Sequence, residues 1–288
     1  MADAKTSTDA GIAGILGESK AKAVESAVTG KNVRLKLFRG DASGGEWVGY
    51  EVPLDTGMVV LDAVHRVQAG PAPDLACRWN CKAGKCGSCS AEVNGVPRLM
   101  CMTRISDLPA GEEIQVAPLK AFPVVKDLVT DVKWNYEQNR RIQPFTPRAM
   151  TEEEQARGEF RMQQRDVDRV QEFRKCIECF LCQDVCHVLR THKLHDEFMG
   201  PRFLVRLASL EMHPADDGER VRDGSVWKEG GIGLCNITKC CTEVCPEHIK
   251  ITDNAIIPLK ERVVSSKDPL AIAWRALTGK GKKLPMAK

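Results

Sequence analysis

The sequence predicts an α+β fold, with a strand-rich N-terminal domain followed by an all-helical one. Three observations carry this. Short stretches between Val33 and Val116 alternate apolar and polar residues with period two and are separated by Gly- and Asn-containing turns. From Trp134 onward that alternation is replaced by charged sequence with helical spacing. The cysteines fall into three groups, one in the first half of the chain and two in the second.

The elements follow in order. Residues 1–30 mix Lys, Asp and Glu with Ala, Gly and Ser and read as a flexible N-terminal extension. Val33 to Phe38 and Trp47 to Val52 read as the strands of a hairpin joined by a loop from Arg39 to Glu46. Met58 to Gln68 places Leu61, Val64 and Val67 on one helical face, and Gly70-Pro71 ends it. Ala91 to Val93 and Pro97 to Cys101 flank Asn94-Gly95, a tight hairpin turn. Ile114 to Val116 reads as a last strand. Several strands, one helix, and a cysteine loop between helix and second hairpin predict a β-grasp domain over 31–132. The helical domain is expected over 133–264, with helices at Gln155–Val170, Phe203–Leu210 and Asn254–Val264. A basic, solvated C-terminal tail is expected over 265–288.

Composition narrows the function. The chain has 288 residues, 43% hydrophobic and 28% charged, as in ordinary globular proteins. A net charge of +3 and 5% aromatics argue against nucleic acid as a partner. The N-terminus has no apolar signal core, and no stretch has the roughly 18 uncharged apolar residues of a membrane span. Thirteen cysteines without a secretory signature read as metal or redox chemistry in a reducing cytoplasm rather than as disulfides.

Cys81, Cys86 and Cys89, followed by Cys101, have the spacing C-x4-C-x2-C…C of a [2Fe–2S] site. Two irons need four thiolates converging from a short loop, and Gly84 and Gly87 relax the backbone that must wrap them. Zinc favours two separated C-x2-C knuckles, and only one such pair is present here. Cys77 reads as a small buried hydrophobe beside the loop.

Cys176, Cys179, Cys182 and Cys186 form the C-x2-C-x2-C-x3-C run, whose fourth cysteine ligates the other cluster of a pair. Overlaid on it, Cys235, Cys241 and Cys245 match the first, third and fourth positions, and Thr238 takes the second. Exchange of the fourth cysteines then gives Cys176, Cys179, Cys182 and Cys245 to a [4Fe–4S] cluster. It leaves only Cys186, Cys235 and Cys241 for the other, which predicts a [3Fe–4S] cluster. Cys240, two residues past Thr238, is expected to point elsewhere as a spare thiol. Eleven of the thirteen cysteines are thereby assigned as ligands.

With these groups the chain resembles the iron–sulfur subunits of the succinate dehydrogenase/fumarate reductase family. The resemblance covers roughly residues 33–264. Besides the cysteines it includes Phe122 to Asp131, Arg141-Ile-Gln-Pro-Phe145, Gly200-Pro201 and Ala255 to Lys260. It implies the electron-transfer subunit of a membrane-bound succinate dehydrogenase, serving the tricarboxylic acid cycle and the respiratory chain. The implied route runs from FAD in a partner flavoprotein through [2Fe–2S], [4Fe–4S] and [3Fe–4S] to quinone at membrane-anchor subunits. It further implies a peripheral position on the cytoplasmic face of a bacterial membrane.

His187, Asn236, Thr238 and Lys260 fall where the family places residues near the last cluster and quinone. Many members have Pro after the cysteine at 186 and a Trp shortly beyond. Here the segment reads His187 to His192, which resembles members whose anchor carries two haems, of the b type. His192, His195, His213 and His248 read as solvent-exposed, and Arg140-Arg141 and Lys282-Lys283 as solvated basic pairs. The competing readings are the same wire in a fumarate reductase or in a glycolate- or thiol-linked oxidoreductase, a free ferredoxin, and a zinc-based structural protein.

Overall fold

The computed structural model describes residues 32–221 and 224–278. The expectations for the 1–30 extension, and for the tail beyond 278 with Lys282-Lys283, lie outside them.

The N-terminal half is a seven-stranded mixed sheet built around β1 (Asn32–Asp41). β1 pairs antiparallel with β2 (Gly44–Pro53), so the hairpin turn is far shorter than expected. Residues read as loop from their Gly and Asp content are paired: Arg39 with Glu46, Gly40 with Gly45 and Asp41 with Gly44. Local propensity there yields to the pairing partner. α1 (Val60–Ala69) buries Leu61, Val64 and Val67 and ends at Gly70. β3 (Ser90–Val93) and β4 (Val96–Leu99) turn through Asn94 and Gly95, both at positive φ. β5 (Ile114–Ala117) runs parallel to β1 and antiparallel to β3, which closes the β-grasp arrangement. It is not the last strand. β6 (Val124–Lys126) and β7 (Val129–Thr130) add a small hairpin that leads into the helices.

The second half is helical. α2 (Lys133–Arg141) leaves the sheet, with Arg140 and Arg141 exposed. The single helix expected at Gln155–Val170 is two, α3 (Glu152–Arg157) and α4 (Gln164–Gln171). Gly158, at φ 70°, ends the first. A left-handed glycine releases the helix that charged, helix-favouring sequence would otherwise continue. α5 (Leu181–Val185) and α6 (His187–Arg190) carry the first helical-domain cysteine run, and α7 (Pro201–Glu211) is the central buried helix. α8 (Cys240–Glu243) carries the second run. α9 (Ile257–Lys267) and α10 (Pro269–Thr278) carry helical structure into the stretch expected to be tail.

One hydrophobic cluster runs without a break from Leu35 and Val64 in the sheet domain to Leu204 and Leu259 among the helices. The two domains are therefore locked rather than loosely tethered. A buried polar joint reinforces this: the Ala121 N–H donates to Asp184 Oδ1 at 2.9 Å. Arg190 pairs with Glu92 on β3 at 2.5 Å and lies 3.6 Å from Asp184.

Candidate metal centres

The first group sits on the loop between α1 and β3, and Cys101 follows β4. Lys82, Gly84 and Gly87 have positive φ, which coils the loop so that its N–H groups face the sulfurs. Ala83 and Lys85 N–H donate to Cys81 Sγ at 3.4 and 3.3 Å, and Cys81 and Ser88 N–H donate to Cys86 Sγ at 3.5 Å. Burial pushes the Cys86 thiol up, but the Ser88 side chain and the Cys81 and Ser88 N–H groups outweigh it and bring it down to about 6. Burial pushes the Cys89 thiol up to about 12. Cys81 at the loop tip is exposed.

The loop rests directly on the second group. A Cβ on Gly87 would fall 2.6 Å from Cys179 Cα. Ser90 Oγ reaches both the Gly87 and the Cys179 carbonyls, at 2.9 and 2.8 Å. Lys85 pairs with Glu247 at 3.0 Å, just after the Cys245-Pro246 pair. Gly87 therefore serves contact between domains as well as the bend of its own loop.

The two helical-domain runs share one backbone design. Glu178 and Phe180 have φ of 55° and 60°, and Ile237 and Lys239, at the same offsets after Cys235, have 61° and 64°. Non-glycine residues held in the left-handed region mark an over-determined backbone. Each run then enters a short helix, α5 or α8. Cys176, Cys179 and Cys182 line a pocket together with the distant Cys245, among Ile177, Phe180 and Val205. Cys235 and Cys241 line another with the distant Cys186. Burial pushes the Cys179 and Cys186 thiols up to about 12, Cys241 to about 11, and Cys182 well above its ordinary value. Unligated, these thiols are neutral, and bound iron would hold them as thiolates.

Among the described residues, no three His, Cys, Asp or Glu groups converge closely enough to share a single metal ion. The sulfurs of the two helical-domain groups instead line pockets, and soft thiolate donors, with N–H groups turned toward sulfur at the first site, fit iron–sulfur clusters.

Cys240 departs from expectation. It lines the third pocket with Cys186, Cys235 and Cys241, and its Sγ is 3.3 Å from Thr238 Oγ1. The left-handed Lys239 turns the chain so that Cys240 begins α8 facing the pocket, which flat spacing along the sequence does not reveal. Cys77 is half-buried against the core, with its thiol pushed up to about 12 by burial.

His187 and Thr238 line the third pocket. Lys260 donates to the Cys235 carbonyl, and Asn236 is exposed beside it. His192 and His248 are exposed. His195 and His213 are half-buried, contrary to expectation: His195 packs edge-on to Trp134 at 4.8 Å, and His213 to Phe145 at 5.2 Å. Aromatic neighbours distant in sequence take these imidazoles from solvent.

Residues 33–137 match the family model described as a 2Fe-2S iron-sulfur cluster binding domain, and residues 172–249 match a 4Fe-4S dicluster domain. The fumarate reductase iron-sulfur subunit of Escherichia coli O6:H1 is 32% identical over 76% of this chain and 86% of its own length. The Mycobacterium tuberculosis protein of the same name is 30% identical, over 69% of this chain and 79% of its own. A chain in the structure of the Mycobacterium smegmatis Sdh1 complex in the apo form is 58% identical. It has a TM-score of 0.78 and matches 84% of this chain and 100% of that one. The chain belongs to the iron–sulfur subunits of the succinate dehydrogenase/fumarate reductase family.

Several residues matter to this iron–sulfur subunit that sequence reading missed. Asp184 and Glu92 form a buried acidic pair between the domains, 0% and 1% exposed. Burial and the Glu92 carboxylate push Asp184 up to about 7, against the pull of the Ala121 N–H and Arg190. Arg202, buried on α7, lines the second pocket and pairs with Glu178. A charged residue inside an apolar helical pattern was the only available signal for Arg202, and none existed for Glu92, which sits on a strand of mixed polarity.

Proposed function

We propose that the chain is the electron-transfer subunit of a succinate dehydrogenase, relaying single electrons from an FAD-bearing subunit to quinone at a membrane-anchor subunit. The observation that carries this reading is the unbroken contact between the three cysteine groups. Gly87 in the first loop abuts Cys179 of the second group, and only three residues of α5, Gln183 to Val185, separate Cys182 of the second pocket from Cys186 of the third. Cys81, Cys86, Cys89 and Cys101 hold a [2Fe–2S] cluster. Cys176, Cys179, Cys182 and Cys245 hold [4Fe–4S], and Cys186, Cys235 and Cys241 hold [3Fe–4S]. Such clusters, when bound, accept and release one electron at a time.

The chain's own residues supply the rest. Loop N–H groups stabilise negative sulfur at the first site, and the apolar walls of the second keep water from the cubane. His187, Asn236, Thr238 and Lys260 form the surroundings of the last cluster and of quinone. Ile237, which lines the third pocket, and Leu234, next to Cys235 in sequence, are each 38% exposed and give an apolar surface suited to an anchor subunit. Among the described residues no helix is long and apolar enough to cross a membrane. In this reading the subunit is peripheral, at the cytoplasmic face of a bacterial membrane, with haem b where present carried by the anchor.

The identity to the Sdh1 chain favours succinate oxidation. The names of the Escherichia coli and Mycobacterium tuberculosis relatives favour a second reading, the same wire in a fumarate reductase. Paramagnetic resonance of the purified complex is expected to give a three-iron signal when oxidised and a [2Fe–2S] signal when reduced. Turnover with succinate and with fumarate separates the two readings. Stoichiometric zinc without either signal would overturn the cluster assignment.

A further inference from the structure

We propose that Cys240 is a built-in fourth thiolate for the third site, so that its three-iron cluster can take up a fourth iron reversibly. This rests on the reading above, in which Cys186, Cys235 and Cys241 hold [3Fe–4S]. The repeat places the corner without a thiolate against Thr238, the counterpart of Cys179. The Cys240 Sγ lies 3.3 Å from Thr238 Oγ1, so a sulfur stands at that same corner. It lines the pocket with the other three cysteines, and its further contact is a weak one, 3.7 Å to the Val185 carbonyl. Nothing covalent ties it down, and it begins a short helix whose preceding residue, Lys239, is in a strained left-handed conformation.

The step balances with reagents of stated class. Reduction of the [3Fe–4S] cluster by one electron, of the kind the wire carries, gives a neutral core. Binding one ferrous ion to that core gives [4Fe–4S]2+. Cys240 loses its Sγ–H proton to solvent as the sulfur–iron bond forms. Oxidation and loss of the ferrous ion reverse the step, which would disconnect or reconnect the wire according to iron supply and redox state.

The test uses the whole complex under anaerobic conditions, reduced with dithionite, supplied with 57Fe2+, freed of excess iron and gently reoxidised. Mössbauer spectra, resonance spectra and iron content are then read. Wild type is expected to gain one iron per chain and lose the oxidised three-iron resonance, whereas Cys240→Ala keeps that resonance and gains none. Alkylation followed by mass spectrometry, on wild type alone, is expected to label Cys240 before iron uptake and not after. No uptake by wild type would overturn the proposal while leaving the three-iron reading intact. Equal uptake by Cys240→Ala, or equal Cys240 labelling before and after, would also overturn it. Four irons at this site in wild type as isolated, falling to three in Cys240→Ala, would support Cys240 as ligand and overturn the three-iron reading instead.

Discussion

Gly87→Ala tests the contact that joins the two domains. The new Cβ would lie 2.6 Å from Cys179 Cα and 2.9 Å from its backbone N, about 0.8 Å short of the 3.4 Å at which ordinary contact begins. The opposing atoms are backbone of a cysteine-bearing loop and have no rotamer to give. Two costs combine: about 1–2 kcal/mol for a left-handed non-glycine residue, and about 1–3 kcal/mol for overpacking. Gly95→Ala separates them. Its φ of 76° resembles the 68° of Gly87, yet nothing lies within 4 Å of its added Cβ. Thermal loss of cluster absorbance in the assembled complex is the assay. Gly95→Ala should lower the midpoint through the backbone cost alone. Gly87→Ala should lower it further by about 1–3 kcal/mol, or about 2–12 °C for a chain of this size, and should slow electron delivery from the first site to the second. Equal midpoints and equal rates for the two variants would refute the claim that the domains meet at this glycine.

Three further outcomes follow from the same structure. Arg190→Ala removes the cation shared by buried Glu92 and Asp184; Glu92 keeps Lys120, 2.9 Å away, and Arg190 is itself partly exposed, so the loss falls below the about 3–5 kcal/mol of a fully unpaired buried charge. Adding Glu92→Gln should recover part of the melting temperature, and no recovery would argue against charge as the cause. The Arg148 guanidinium and the Thr151 and Arg161 N–H groups hold the Glu154 carboxyl well below the usual carboxylate range. A lowered folded value contributes stability above the unfolded value of about 4.3 and loses it as pH falls below. The advantage of wild type over Glu154→Gln should therefore be full in neutral urea titrations and vanish in acid. Ser90→Ala removes one hydroxyl donor shared by the Gly87 and Cys179 carbonyls and should cost about 0.5–1.5 kcal/mol in the same melts.

Period-two alternation in Val33 to Phe38, the Asn94-Gly95 turn and the apolar face of α1 are local signals, and each element stands where it was expected. The extent of the β1–β2 hairpin was not legible, because Gly40 and Asp41 carry loop propensity that only a paired strand overrides. The break at Gly158 was present in the sequence but masked by charged residues favourable to helix on both sides. The half-burial of His195 and His213 depends on aromatic partners contributed by other elements, so their own neighbours in sequence carried no sign of it.

Sequence spacing alone was enough to divide the cysteines into three groups and to mark Thr238 as the position lacking a thiol. These are counting relations along one chain, and the repeated left-handed pairs at Glu178 and Phe180 and at Ile237 and Lys239 give the two runs the same local path. Direction in space is a different quantity. Which pocket Cys240 faces depends on the φ of Lys239 and on the packing of α8 against α5. The approach of Gly87 to Cys179 and the burial of Glu92 beside Asp184 depend on how two domains meet. Those facts arise from contacts between residues far apart in the chain, and only the tertiary structure decides them.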